Sequence, residues 1–517
     1  MSFDRIPSFI QLEIVSYLNV RDAGRFMSTS CKNYLLMTEV ARCNPYIVAE
    51  ASRAEDNCSA KGVISRAVTK IPSKPNIVFA FYEHSIYDMK QSLERLLPSD
   101  TSVIAAEAMN VQANVDGVVT NTGGTYDDDD EGTGVSILLG SFPESISGSC
   151  IVTGASIKNA RCSTDVYASV KQVLQISGLI GGQEWSTFIL YACGLRGHSL
   201  ASYVIEILQV SHAEAAIIGG VCDSALVRTH PVSLTSSSTI SRIKSGVVVL
   251  ALGGNTPLRA CVSRGMEPLH APHVQISDSF PIYNQYNNNM TNREDETSQS
   301  PIGYVVSKIR RTDSALEEET VISDWMGMSG AGDYLGIKRP DDMGYTLHLI
   351  SSDLFIDDER ILVKECKPLN GAEVKLFRLT SAACVQDLDD MLSRLILEVK
   401  GLDQELMGAL MFSCNGRGPR REWIGEDAMD ANHFNRIVGN IPLVGFYGGG
   451  EVGPKAMAMI RQGALRTGAA ELQAFTVVLG VFLKPKLCEC SRIFHDGLTS
   501  MEARTMFNHR NTIPKFF

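Results

Sequence analysis

The chain has 517 residues, 44% hydrophobic and 20% charged, with a formal net charge of −11, so it reads as globular and exceeds one ordinary hydrophobic core. The acidic balance and the lack of a dense Lys/Arg cluster argue against nucleic-acid binding, which needs a basic face. The longest apolar runs, Gly246–Gly254 and Phe475–Leu483, are about nine residues, half a transmembrane helix and the length of a buried strand, so no membrane span is expected.

The N-terminal stretch MSFDRIPSFIQLEIVSYL carries acids through its apolar part and ends in no small-residue cleavage site, so it does not read as a signal peptide. Ile10, Ile14, Val15 and Leu18 recur with helical period, and Pro7 sits near the helix start, where its missing N–H costs little. A second helix is expected from Asp22 to Leu36. A unit of residues 1–45 buries little of its own surface, so its apolar stripe calls for a partner groove or for packing on the rest of the chain. Residues 46–70 read as a linker.

From Ile71 the chain turns to short apolar runs. Asn76–Tyr82, Ser102–Glu107, Thr187–Cys193, Glu214–Gly220 and Gly246–Gly254 are expected strands, with a helix over HSLASYVIEILQV. The acidic Thr122–Gly134 reads as a surface loop, and residues 276–303 as a low-complexity linker that cannot repay its ordering entropy. Strand-like runs resume in 304–484, with a helix expected over Val385–Lys400, and 485–517 reads as a mobile tail. The expected fold class is α+β: a small all-helical N-terminal unit followed by a two-part mixed α/β domain, 71–275 and 304–484.

The 13 cysteines lie mostly in apolar runs (Cys193, Cys222, Cys384, Cys414), as small buried hydrophobes do in a reducing compartment, so an intracellular protein of cytoplasm, nucleus or both is expected. Cys488 and Cys490 are the one close pair, with no second pair or flanking His; no metal and no cofactor are expected. Gly448, Gly450 and Gly453 satisfy a dinucleotide-type spacing, but Pro454 follows at once, Gly463 and Gly468 interrupt the next helix, and no crossover follows. Two strands end instead in tight turns. One carries Asn415, Gly416 and Arg417, the other Gly448, Gly449, Gly450 and Glu451. Converging amides form an anion nest, an arginine fork suits a carboxylate, and a glutamate takes an ammonium. Those seven residues are therefore candidates for binding a small zwitterion such as an amino acid, the alternative being turns with no ligand. Gly197–Ala201 lacks the second glycine of a hydrolase elbow, and no catalytic residues are assigned.

The segments FSCNGRG, GFYGGGEVGP and LQAFTVVLGVF resemble, in order and spacing, the C-terminal half of FIST domains, named from F-box and intracellular signal transduction proteins. SRGMEPLH resembles a diverged N-terminal half, with Met266 where the family tends to carry a cysteine. The resemblance covers roughly 71–484. Beside it, IPSFIQLEIVSYLNVRDAGRF is similar to an F-box, matching at Ile6, Pro7, Ile14, Val15, Tyr17, Leu18 and Asp22. The combined resemblance implies a non-catalytic substrate-recognition subunit of an SCF-type ubiquitin ligase. Pro7, Ile10, Ile14, Val15, Tyr17 and Leu18 would then dock a Skp-family adaptor of a cullin–RING ligase, and the FIST region would bind a client protein or sense a small ligand. The alternative is a small-molecule sensor that delivers no client; a nucleotide-dependent enzyme is a third reading.

Overall fold

The computed structural model describes residues 45–484, apart from 53–58, 85, 109, 122–133, 158–162, 229–238, 255, 257, 270–272, 283–302, 313–318, 327–332, 341–344, 351–355, 358, 364–367, 403, 418–429 and 456–468. The expected adaptor-docking residues Pro7 to Leu18, the acidic loop up to residue 133 and the tail all lie outside the described residues.

Three copies of one motif make up most of the chain. The first runs β1 (Tyr46–Ala51), α1 (Ala60–Lys70), β2 (Ile77–Tyr82), α2 (Met89–Leu96), β3 (Ser102–Glu107), a hairpin of β4 (Asn110–Val115) and β5 (Val118–Asn121), then β6 (Val135–Ser141). The second runs β7 (Ser145–Val152), α3 (Ser163–Ile176), β8 (Thr187–Cys193), α4 (Gly194–Ser211), β9 (Ala216–Cys222), a hairpin of β10 (Ser224–Arg228) and β11 (Ile240–Ile243), then β12 (Gly246–Gly254). The third opens with β13 (Leu258–Ser263) and is interrupted by an insertion. The insertion holds β14 (Met266–Pro268), β15 (Val274–Ile282), β16 (Gly303–Arg311), β17 (Glu319–Val321), α5 (Ile322–Met326), β18 (Tyr334–Lys338), β19 (Thr346–Leu349), β20 (Ile361–Val363) and β21 (Glu373–Leu379). The third copy then resumes with α6 (Ser381–Gly401), β22 (Leu406–Cys414), α7 (Asp430–Val438), β23 (Leu443–Gly448), a hairpin of β24 (Glu451–Pro454) and β25 (Ala470–Gln473), and β26 (Val477–Leu483).

Each copy forms a six-stranded sheet of the same design: β1-β6-β2-β3-β10-β11, β7-β12-β8-β9-β24-β25 and β13-β26-β22-β23-β4-β5. In each, one central pair is parallel (β2/β3, β8/β9, β22/β23) and every other pairing is antiparallel. The two outermost strands of each sheet are a hairpin lent by another copy. The first copy lends β4–β5 to the third sheet, the third lends β24–β25 to the second, and the second lends β10–β11 to the first. The exchange closes on itself, and the strands on either side of residues 276–303 belong to the same sheets.

The alternation of side chains explains the packing. In β2, Ile77, Phe79 and Phe81 point into a core shared by all three sheets, while Val78, Ala80 and Tyr82 point to α1 and α2. Strands buried on both faces read as continuous apolar runs, which is why they were legible. At the centre, Phe81, Tyr191 and Phe412, one from each sheet, form a near-equilateral triangle with ring centroids 6.2, 6.1 and 6.1 Å apart, all tilted towards edge-to-face. Burying each ring contributes about 1.5–3 kcal/mol, with ~0.5–1.5 kcal/mol more per aromatic pair. Helices cover the outer faces: α3 and α4 the second sheet, α6 and α7 the third. Ser59 caps α1 by accepting from the Gly62 amide, and Thr380 caps α6 by accepting from Ala383.

The insertion folds into a fourth, antiparallel sheet, β17-β16-β15-β21-β18-β19, with β14 added on β21 and β20 on β16, around its own core of Ile322, Trp325, Leu335 and Leu376.

These findings correct the expected α+β class. The described residues are 47% strand and 28% helix, mostly β, in three mixed sheets and one antiparallel sheet, and the first described element is a strand rather than a helical unit. The strands that were missed are polar or short, such as NVQANV, SISGSCIV and AELQ. Their backbones are recruited by a neighbour's ladder rather than by apolar side chains of their own. Residues 46–70, read as a linker, hold β1 and α1, and β15 continues to Ile282, inside the segment read as a second linker. Among the described residues no helix is long and apolar enough to cross a membrane.

Candidate ligand site at the Glu451 turn

The second and third sheets meet where β23 ends. Gly448 closes β23, Gly449 and Gly450 carry the chain across, and Glu451 opens β24 opposite Gly220 of β9. The Gly449 amide donates to the Val221 carbonyl at 3.2 Å, and the Val221 amide donates to the Gly450 carbonyl at 2.8 Å. The Gly449 amide is thus engaged with β9 rather than held out in an anion nest. A Cβ on Gly445 would lie 1.9 Å from the Met411 carbonyl oxygen, and one on Gly448 2.6 Å from that of Val221. Bare backbone is needed here because strands approach closely. At Gly449 the nearest atom would be Val221 Cγ1 at 3.7 Å, ordinary contact.

Glu451 is fully buried. Its Oε2 accepts from the Thr476 hydroxyl at 2.9 Å and from the Thr476 amide at 3.2 Å. Oε1 has no partner of good hydrogen-bond geometry among the described residues, and the Cys414 thiol lies beside the carboxyl. Burial pushes the Glu451 carboxyl up to about 8, against the opposing pull of Thr476, Arg417 and Cys414, so the group is mostly protonated at neutral pH. Burial pushes the Cys414 thiol up to about 12, with the Glu451 charge adding to it.

Two arginines flank this acid. Arg417 ends a short 3₁₀ turn that begins at Asn415, and its side chain is 2% exposed. Its Nη2 donates to Asp430 Oδ1 at 3.1 Å and to the Cys384 carbonyl at 3.5 Å, and its Nη1 to the Arg264 carbonyl at 3.2 Å. Burial alone would lower its pKa, but the charge and hydrogen bond of Asp430, with Cys384 and Asp387, together outweigh that and raise it. Arg417 therefore clamps β22, α7 and both ends of the insertion, instead of presenting a fork to a ligand. Arg264, just after β13, is half-buried. Its amide donates to Asp387 Oδ2 at 2.9 Å and its Nη2 to Gln473 Oε1 at 3.4 Å. Burial lowers its pKa, while Glu471, Tyr334 and Glu451 pull the other way.

The insertion brings aromatic side chains to the same region. Tyr334 of β18 is buried, with its hydroxyl unpartnered among the described residues, and it meets Phe475 edge-on at 6.2 Å. Phe475 holds φ at 58°, a left-handed conformation uncommon for a bulky residue and a mark of local strain. A Cβ on Gly416 would lie 2.4 Å from the Phe475 ring, so that glycine leaves room for the ring. Met266 packs against the same aromatic cluster.

Of the residues expected from sequence, the structure brings Glu451 and Arg417 to one region and puts Gly448, Gly449 and Gly416 in its scaffolding. Arg264, Tyr334, Cys414 and Thr476 were missed as site residues. Arg264, Cys414 and Thr476 lie in the motifs SRGMEPLH, FSCNGRG and LQAFTVVLGVF, whereas Tyr334 lies in none of them. No group of His, Cys, Asp and Glu suited to a metal ion occurs among the described residues.

The FIST C domain family matches residues 323–454, from within the insertion to the last residue of β24. An uncharacterised protein of Mycobacterium tuberculosis (strain CDC 1551 / Oshkosh) is 23% identical over 285 residues, covering 55% of this chain and 65% of that protein. An uncharacterised protein of Mycobacterium bovis (strain ATCC BAA-935 / AF2122/97) is 26% identical over 278 residues, covering 52% of this chain and 60% of that one. The chain thus spans less than two thirds of the length of these relatives. Among solved structures, PurLQS from Thermotoga maritima aligns over 92% of this chain and 82% of its own, at 12% identity and a TM-score of 0.17, too low to carry an argument about fold.

Proposed function

We propose that the chain is a small-molecule sensor whose ligand is amino-acid-like and binds between the Glu451 turn and the inserted sheet. The FIST C domain at 323–454 is consistent with a sensor or signalling module. The observation that carries the reading is Glu451: a fully buried carboxyl whose second oxygen has only the Cys414 thiol beside it among the described residues, its proton favoured by burial, and flanked by two guanidinium groups. Unpaired buried polar atoms are costly, and a functional site is a recurrent reason to keep one. A ligand ammonium at Oε1 would supply the counter-charge that burial withholds and draw the proton off. Arg264, rather than Arg417, is then the cation for the ligand carboxylate. Tyr334, on the insertion, senses occupancy because it sits on an element separate from the acid.

The test is a thermal-shift screen of the amino acids at neutral pH. One or more should raise the melting temperature of the wild type by several degrees, and Glu451→Gln and Arg264→Ala should each abolish that shift. No shift with any amino acid, or the same shift in both variants, overturns the reading. Docking of a Skp-family adaptor by Ile14 and Leu18 is a separate proposal that rests on the F-box resemblance alone; Leu18→Asp should end co-purification with the adaptor.

A further inference from the structure

Two cysteines that the ligand site does not use stand side by side in the shared core. Cys193 ends β8 and Cys222 ends β9, and these strands are parallel neighbours with Cys193 paired to Cys222 in register. Their sulfurs are 3.8 Å apart, and both thiols are free. Adjacent strands run roughly 4.7–4.9 Å apart, inside the Cα separation of about 4.4–6.8 Å that a disulfide spans. The sulfurs are therefore within reach of a bond by side-chain rotation together with a small adjustment of the strand ends. We propose that Cys193 and Cys222 form an intramolecular disulfide under a hydroperoxide or a small-molecule disulfide, making the second sheet a redox-sensitive element.

The chemistry balances with either oxidant. A small-molecule disulfide gives a mixed disulfide on one cysteine and releases a thiol, and the other cysteine then displaces the second thiol. A hydroperoxide reacts in two steps. Cys222, 6% exposed where Cys193 is fully buried, is the first to react. Its sulfur takes the peroxide's terminal oxygen, giving a sulfenic acid and releasing water or an alcohol. The Cys193 sulfur then attacks the sulfenic sulfur, the S–S bond forms and the sulfenic oxygen leaves as water. Two thiols are oxidised and one peroxide is reduced. The hydrogen bond to Cys193, burial and nearby acids all hold the Cys222 thiol well above its ordinary range, so the thiolate is scarce and the reaction slow. The pair answers sustained oxidation rather than a brief pulse. The effect would be local to the Glu451 turn, because Val221, next to Cys222, exchanges hydrogen bonds with Gly449 and Gly450.

The experiment uses the full chain, fully reduced and then incubated with hydrogen peroxide or with oxidised glutathione. Free thiols are alkylated and the peptides mapped by mass spectrometry. The expected product is a cross-linked peptide pair joining Cys193 to Cys222, two hydrogens lighter than the reduced pair and reversed by dithiothreitol. Its yield should rise over hours and vanish in Cys222→Ser. Cys193→Ala should instead trap Cys222 as a sulfenic acid. Oxidation of other cysteines with no Cys193–Cys222 peptide in the wild type overturns the proposal, whether or not the variants fold. No ligand enters the measurement, so its failure is distinct from failure of the sensor reading.

Discussion

Gln112 and Ser413 lie 301 residues apart in sequence, yet the Gln112 Nε2 donates to the Ser413 Oγ at 3.0 Å with both side chains fully buried. The bond fastens the hairpin lent by the first copy to the sheet that receives it. Gln112→Ala should cost about 1–3 kcal/mol, because it leaves the Ser413 hydroxyl buried without its donor. Urea unfolding measures this, and a variant as stable as wild type would show that the junction contributes nothing.

The exchange of hairpins also predicts how the chain can be divided. Residues 45–254 expressed alone should lack a cooperative transition, since β3 keeps β10–β11 but β8–β9 lose β24–β25, and β4–β5 have no sheet to join. Residues 256–484 alone should fare no better. Co-expressed, the two should associate and melt as one species in scanning calorimetry. Independent, reversible melting of either half would contradict the interlocked arrangement.

Glu451 makes stability depend on pH in a direction opposite to that of a salt-bridged carboxylate. Its folded value, about 8, lies above the ordinary 4.5, so the folded chain keeps a proton that the unfolded chain releases. Stability should be full below about pH 4.5 as far as this group is concerned, and should fall as pH rises towards 8. Glu451→Gln, which cannot ionise, should flatten that slope. A slope unchanged in the variant would place the titration elsewhere.

Arg417→Ala should destabilise by about 3–5 kcal/mol, because it strands Asp430 as a buried, unpaired charge. The companion substitution Asp430→Asn, with Arg417 intact, should also destabilise. Near-wild-type unfolding midpoints in both would remove Arg417 from the role of clamp.

The glycines should separate into two classes. Gly445→Ala places a methyl against the Met411 carbonyl and should cost about 3 kcal/mol or more, while Gly449→Ala meets only Val221 and should be near neutral. Equal effects, read from thermal unfolding, would mean that strand approach is not what requires them.

Much of the frame was legible. Ile77–Tyr82, Thr187–Cys193 and Gly246–Gly254 announced themselves because both faces of each strand are buried, and Leu388, Leu392 and Leu395 marked the inner stripe of α6. The threefold repetition was not legible, because what repeats is the order and pairing of elements. The equivalent rings are Phe81, Tyr191 and Phe412, while the residues paired with them are Ala106, Gly220 and Phe446, which share no side-chain chemistry. The site was half legible for a related reason. Glu451 and Arg417 lie in recognisable glycine turns, but Tyr334 comes from the insertion and Arg264 from beyond it in the other direction, a juxtaposition set by sheet pairing alone.

The cyclic loan of hairpins has a consequence for how such a fold could arise. Each copy gives one hairpin and receives one, so three separate chains, each carrying a single copy, could satisfy every pairing by exchanging hairpins around a threefold axis. Joined end to end, the copies no longer need identical sequences, and each junction is free to diverge. One of them has become the place where a long insertion and a buried acid meet.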